Sequence, residues 1–166
     1  MLVTIANSTL SGNSAGLNGD GDAISNVVAT VDISNSILNG QASGEQIFNL
    51  QGIVTSHGYN LSSDDDPRFL TGPGDQINTD PLLGPLRDNG GSTLTYRPST
   101  GSPAIDTGNP SFTPPPFFDQ RGPGFDRVVN GRVDIGSFEV QAGKPPVRPP
   151  PTPRPRPAPH PRPTPP

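Results

Sequence analysis

A ten-residue pattern occurs twice in this chain. Val3-Thr4-Ile5-Ala6-Asn7-Ser8-Thr9-Leu10-Ser11-Gly12 returns as Val31-Asp32-Ile33-Ser34-Asn35-Ser36-Ile37-Leu38-Asn39-Gly40, with Val, Ile, Asn-Ser, Leu and Gly matched at an offset of 28 residues. A period of about 20 to 50 residues marks a repeat architecture, in which one unit cannot bury its apolar face alone and stacks on the next. Within each copy Val and Ile alternate with polar residues, so both face one side of a strand. Asn-Ser then turns the chain, and a second short strand carries Leu10 or Leu38. Ala23 to Val28 supplies a strand between the copies, and Leu17 to Asp22, rich in Gly and Asp, reads as a loop. A third, divergent copy runs through Ile47 to Val54 and ends near Gly58 to Leu61.

No apolar stripe of helical period is sustained anywhere. Strands of about 3 to 5 residues stacked once per turn make a parallel β-helix, and residues 1–61 are expected to form its last two or three coils. In that arrangement Val3 stacks with Val31, Ile5 with Ile33, and Leu10 with Leu38. Asn7 stacks with Asn35, where one amide bonds the next along the axis. Composition agrees. Only 29% of the 166 residues are hydrophobic and 16% charged, both below ordinary globular usage. The excess is Gly, Pro, Ser, Thr and Asn, the residues of turns.

There is no cysteine, which excludes disulfides and thiolate metal sites. No apolar run approaches the ~20 residues that cross a bilayer, and no signal peptide is visible after Met1. The net charge of −4 is unevenly spread. Five of the eleven bases follow Ala142 with no acid among them, leaving six bases against all fifteen acids before it, a net of −9. Such a body disfavours nucleic acid and anionic membranes.

Residues 62–141 break the repeat with Asp64-Asp65-Asp66-Pro67, Gly72-Pro73-Gly74-Asp75 and other turn clusters, and short strands are expected at Leu94–Tyr96 and Val133–Val140. Residues 142–166 hold 13 prolines in 25 positions and are expected to be extended polyproline II or disordered, a spacer rather than a partner-binding PxxP ligand.

Six segments of the second region come in a fixed order: Gly58-Tyr59-Asn60-Leu61, Asp80-Pro81-Leu82-Leu83-Gly84-Pro85-Leu86, Asp88-Asn89-Gly90-Gly91, Gly101-Ser102-Pro103-Ala104-Ile105-Asp106-Thr107-Gly108, Asp119-Gln120-Arg121-Gly122 and Asp134-Ile135-Gly136-Ser137-Phe138-Glu139. Together, over residues 58–141, they resemble the choice-of-anchor Q module that ends many bacterial right-handed parallel β-helix surface proteins, which are similar to polymorphic outer-membrane proteins and the pectin-lyase-like superfamily. The resemblance implies an all-β, right-handed parallel β-helix with a loop-rich C-terminal cap. It also implies export, a cell-surface or extracellular location, and partners such as an extracellular glycan or a cell-envelope component. Such proteins carry more coils upstream, so the chain reads as a C-terminal fragment.

The chemistry concentrates between Asp119 and Val140, with three Asp, one Glu, three Arg and four Gly in 22 residues. One reading makes Asp119, Arg121, Asp126, Arg127, Asp134 and Glu139 a metal or acid–base site. The other, adopted here, makes Asp119, Arg121, Gly122, Arg127, Asp134, Gly136, Phe138 and Glu139 a salt-bridged cap over the open end of the coils. In it arginine forks pair with carboxylates, Gly122, Gly131 and Gly136 take unusual turns, and Phe138 is buried on the last coil.

Asn18-Gly19-Asp20-Gly21-Asp22 resembles the opening of a calcium loop, but Ala23 and Ala29 stand where Gly and Glu belong, so Asp20 and Asp22 are weak candidates only. Asp64 to Asp66 reads as a turn. His57 alone could serve a Ser-His-Asp triad, and no nucleophile is placed near it. The expectation is a non-catalytic structural or adhesive element without a cofactor. The competing class is the remnant of a polysaccharide lyase or hydrolase.

Overall fold

The computed structural model describes residues 1–15, 21–40 and 45–141. Asp20 and the Pro-rich tail expected over residues 142–166 lie outside them. Among the described residues there are eight strands and no helix: β1 (Leu2–Ala6), β2 (Thr9–Ser11), β3 (Ile24–Asn26), β4 (Thr30–Ser34), β5 (Ile37–Asn39), β6 (Ile47–Asn49), β7 (Ile53–Ser56) and β8 (Leu61–Ser62). Among the described residues no helix is long and apolar enough to cross a membrane.

All strand pairing in the three sheets is parallel, in the orders β1-β4-β7, β2-β5-β8 and β3-β6. The register follows the sequence repeat: Val3 pairs with Val31, Ile5 with Ile33, and Leu10 with Leu38. The third copy falls in step as well, although shorter, with Val31 opposite Val54, Ile37 opposite Leu61, and Ile24 opposite Ile47.

Alternation decides what goes inside. Ile24, Ile33, Leu38 and Ile47 are buried in one apolar cluster, with Ile5, Leu10 and Val54 packed against it. At the third repeat the inward partners change chemistry. Ser56 stands opposite Ile33, and Ser62 opposite Leu38.

The apolar column ends there, and residues 64–78 close it. Leu70 is buried in the same cluster, with Phe69 and Ile77 alongside. Asp75 anchors this closure. Its carboxylate accepts from the Ser56 hydroxyl, the Asn60 backbone N–H and side chain, and the Gly72 N–H. Asp64 accepts the Gln46 N–H and the Ser62 hydroxyl, while Asp66 pairs with Arg68. The acidic turn thus satisfies polar groups at the end of the stack.

The corners carry polar ladders. The Asn35 Nδ2 donates to Asn7 Oδ1 at 2.9 Å, and both residues sit at positive φ, 47° and 49°. Asparagine tolerates that conformation where a β-branched residue would not. A second ladder at another corner joins Asn26 Nδ2 to Asn49 Oδ1 at 2.8 Å. Its signal is the shared Ile-x-Asn of Ile24–Asn26 and Ile47–Asn49.

Truncating the inward column tests this arrangement. Ile33→Ala and Leu38→Ala, both at fully buried positions, should each cost about 2–5 kcal/mol in urea unfolding, while Thr4→Ala on the outward face should stay within about 0.5 kcal/mol.

Candidate functional site

Ile37 and Leu38 are adjacent, so a strand sends one of them inward and the other out. Outward-facing Ile37 and Leu61 form a second apolar cluster with Ala104 and Ile135, and Leu83 packs beside it. The loops of the second region therefore cover the flank of the β2-β5-β8 sheet. The Asp119–Val140 segment is part of that flank. Gly136 N–H donates to the Asn35 carbonyl at 3.0 Å, Asn35 Nδ2 to the Asp134 carbonyl at 3.0 Å, Ser137 N–H to Thr9 Oγ1 at 3.0 Å, and Arg127 Nη2 to Asn7 Oδ1 at 3.0 Å. The expected lid over the open end is thus corrected to a lateral brace on the first and second repeats. The apolar outer face of the sheet needs cover, and residues 64–78 already close the end.

Gly136 approaches the stack closely. It has φ +100°, and a Cβ there would stand 2.7 Å from Thr9 Oγ1 and 2.8 Å from Ile37 Cδ1. Gly122 and Gly131 also take positive φ, as expected for the turns.

Two buried arginines organise the brace. Arg121 grips Asp119 with Nη2–Oδ2 at 2.6 Å and Nε–Oδ2 at 3.0 Å, the two side chains being 5% and 0% exposed. Its guanidinium lies between the rings of Phe125 and Phe138, 4.0 and 3.6 Å from their centroids. Phe138 is therefore buried with Arg121 over its ring. Arg127 donates through Nη2 to the carbonyls of Asp134 and Gly136 as well as to Asn7. Its Nη1 is 3.6 Å from Glu139 Oε2, and Nε and Nη1 make no hydrogen bond among the described residues. Burial pulls its pKa down.

The carboxylates are spent on backbone donors. Asp119 accepts from Arg121 N–H and Glu139 N–H. Asp134 accepts from Asp106 N–H and Val140 N–H, both at 2.7 Å. Glu139 accepts from Val129 N–H at 3.0 Å and Asp134 N–H at 2.9 Å. These bonds replace a ladder, so Val133–Val140 is no strand, contrary to expectation. Leu94–Tyr96 is likewise no strand, keeping only an isolated antiparallel bridge from Thr95 to Arg87. Asp126 is exposed and contributes no carboxylate bond among the described residues.

Burial pushes Asp134 up to about 6. Burial, with the nearby Asp134 charge, pushes Glu139 up to about 8. Asp106 joins them: one carboxylate oxygen from each of the three lies within 4.8 Å of the others. A cation there would compete with four backbone N–H groups for the oxygens of Asp134 and Glu139, and with the charge of Arg127. Asp106 was missed as a site residue because it sits in a loop 28 residues before Asp134, and only folding brings them together.

Asp22, the described half of the weak calcium pair, accepts the Ala15 N–H. His57 lies 3.6 Å from Asp32 on an exposed sheet face. A cleft of about 650 Å³ opens beside Asn7, lined in part by Ser8, Thr9, Phe118, Gln120, Arg127 and Ser137. Comparison with protein-family models, curated proteins and solved structures found no match to the chain.

Two outcomes follow. Asp119→Ala leaves the Arg121 guanidinium buried without its counter-charge and should cost about 3–5 kcal/mol, read by urea unfolding. Asp134 and Glu139 bind protons more tightly folded than unfolded. Their contribution to stability is therefore complete below about pH 4 and is lost as pH rises through about 6 and then about 8. The melting temperature of the wild type should fall by several degrees across that window, and Glu139→Gln should flatten its upper part. An unchanged slope in the variant would remove Glu139 as the cause.

Proposed function

We propose that this chain is the terminal stretch of a right-handed parallel β-helix, a non-catalytic structural or adhesive part of an exported bacterial surface protein. The observation that carries the reading is the use of the buried charges. Every buried carboxylate of the brace, Asp119, Asp134 and Glu139, holds backbone N–H groups, and both buried arginines hold carbonyls, so the cluster knits loops to the stack instead of facing a substrate. Parallel pairing of each strand with its counterpart one repeat on supports the β-helix. The six ordered motifs support surface export, with a glycan or envelope component as partner and the Pro-rich tail as spacer.

The polarity of the Asn ladder supports stacking beyond β1. Asn35 donates to Asn7, whereas Asn7 Nδ2 has no acceptor among the described residues. Among the described residues β1 and β2 pair on one edge only, and their other edges, with the cleft beside Asn7, suit an adjoining coil. Duplicating residues 3–30 ahead of Val31 should therefore give one cooperative unfolding transition with a larger urea m value, because each added repeat brings its own interfaces. A separate low-stability transition would count against the stack.

A second reading, the remnant of a polysaccharide lyase or hydrolase, draws on the Asp32–His57 pair on the open sheet face. Incubation with polygalacturonate and other acidic or neutral glycans should release neither unsaturated uronates nor reducing ends. Release that disappears in His57→Ala would establish the enzyme instead.

A further inference from the structure

Six arginines precede residue 142, in a body with fifteen acids. Arg68, Arg121 and Arg127 face carboxylates, and Arg132 donates to the Gly108 and Thr107 carbonyls. The remaining two, Arg87 and Arg97, line one cleft of about 360 Å³ that no acidic residue lines. Among the described residues half-buried Arg97 makes no side-chain hydrogen bond or ion pair. Arg87 uses only Nε, at 3.2 Å from Asn89 Oδ1. In a body with this excess of acid, two arginines lining one cleft without a counter-charge is the arrangement least expected from composition, and a bound anion would relieve it.

The arms that carry them are held in place. Gly84 N–H donates to the Arg97 carbonyl at 2.8 Å, Ser99 N–H to the Leu82 carbonyl at 2.8 Å, and Arg87 and Thr95 exchange backbone bonds. Buried Asn89, which aims the Arg87 Nε, is itself fixed by bonds to the Thr95 carbonyl and hydroxyl. The backbone carrying both arginines and the Arg87 Nε are thus fixed before binding, which reduces the cost of ordering. The rest of the cleft includes the hydroxyl residues Ser99 and Thr100 and the rings of Pro85 and Pro98. Its volume exceeds that of a bare oxyanion and falls in the range of small-ligand sites, roughly 300–1,000 Å³.

We infer that this cleft binds an acidic sugar unit, with its oxyanion on the Arg87 and Arg97 guanidiniums and its ring among the serine and threonine hydroxyls and the proline faces. The site is separate from the brace and independent of the stacking reading, which stands or falls by the repeat-duplication experiment.

Isothermal titration and NMR shift mapping on the full chain test it with four probes: trigalacturonate for a carboxylate, galactose 6-sulfate for a sulfate ester, neutral galactotriose, and inorganic phosphate. One or both acidic sugars should bind, with shifts at Arg97 and Ser99 and with affinity falling as salt rises. Arg97→Gln should weaken that binding roughly tenfold or more, the loss expected for one charge-assisted contact. Arg87→Gln should weaken it less, and Arg97→Lys should restore part of the loss. Far-ultraviolet circular dichroism and melting temperature confirm that each variant is folded. Should Arg97→Gln unfold, the Arg97→Lys and Arg87→Gln pair decides the matter. Failure of both acidic sugars to bind, equal binding of galactotriose, binding unchanged in the folded arginine variants, or phosphate binding as tightly as either sugar would each overturn the assignment.

Discussion

Asn35 joins the parts of this molecule, and the constraint acts through its left-handed backbone. At φ 47° the chain turns from β4 into β5 with its amide side chain free to reach in two directions. Its Nδ2 donates to Asn7 in the preceding repeat and to the Asp134 carbonyl, while its Oδ1 accepts the Asn109 N–H. Its own N–H donates to the Gly58 carbonyl in the third repeat, and its carbonyl accepts the Gly136 N–H. One residue thus satisfies polar groups from three repeats and two loops at a corner where an unpaired donor would cost about 1–3 kcal/mol. Remove this junction and the brace loses its register on the stack.

The brace answers a different problem. A stack of short strands buries its inner face by repetition, but its outer apolar residues, Ile37 and Leu61, need separate cover. The covering segments are too irregular to form ladders, so buried carboxylates take over the role of backbone acceptors. Asp119, Asp134 and Glu139 each accept main-chain N–H groups, and Arg121 and Arg127 return the compensation to carbonyls as well as to carboxylates. Concentrated charge in a sequence is therefore no sign of catalysis by itself. Here it compensates for absent secondary structure.

The repeat was legible because its physics is local. Alternation of Val and Ile sets the strand face, Asn sets the corner, and equal spacing sets the register, so the pairing of Val3 with Val31 could be read directly. The pairing of Asn26 with Asn49 was equally local but hidden by divergent neighbours. The direction in which the second region packs was not legible. Its signal is faint: an apolar pair, Ile37-Leu38, where a half-buried strand would carry one apolar residue, and serines in place of Ile and Leu in the third repeat. Read together, those features place cover on the flank and closure at the end.

The sequence by itself determined the parallel repeat, its strand faces and its first asparagine ladder, because each follows from spacing along a few neighbouring residues. Only the tertiary structure decided that Asp119–Val140 braces the side of the stack, that Asp106 meets Asp134 and Glu139, and that Arg87 and Arg97 share a cleft. Those outcomes depend on how long irregular loops fold back over one apolar face. No periodicity encodes that path; it is set by which buried polar groups can all find partners at once.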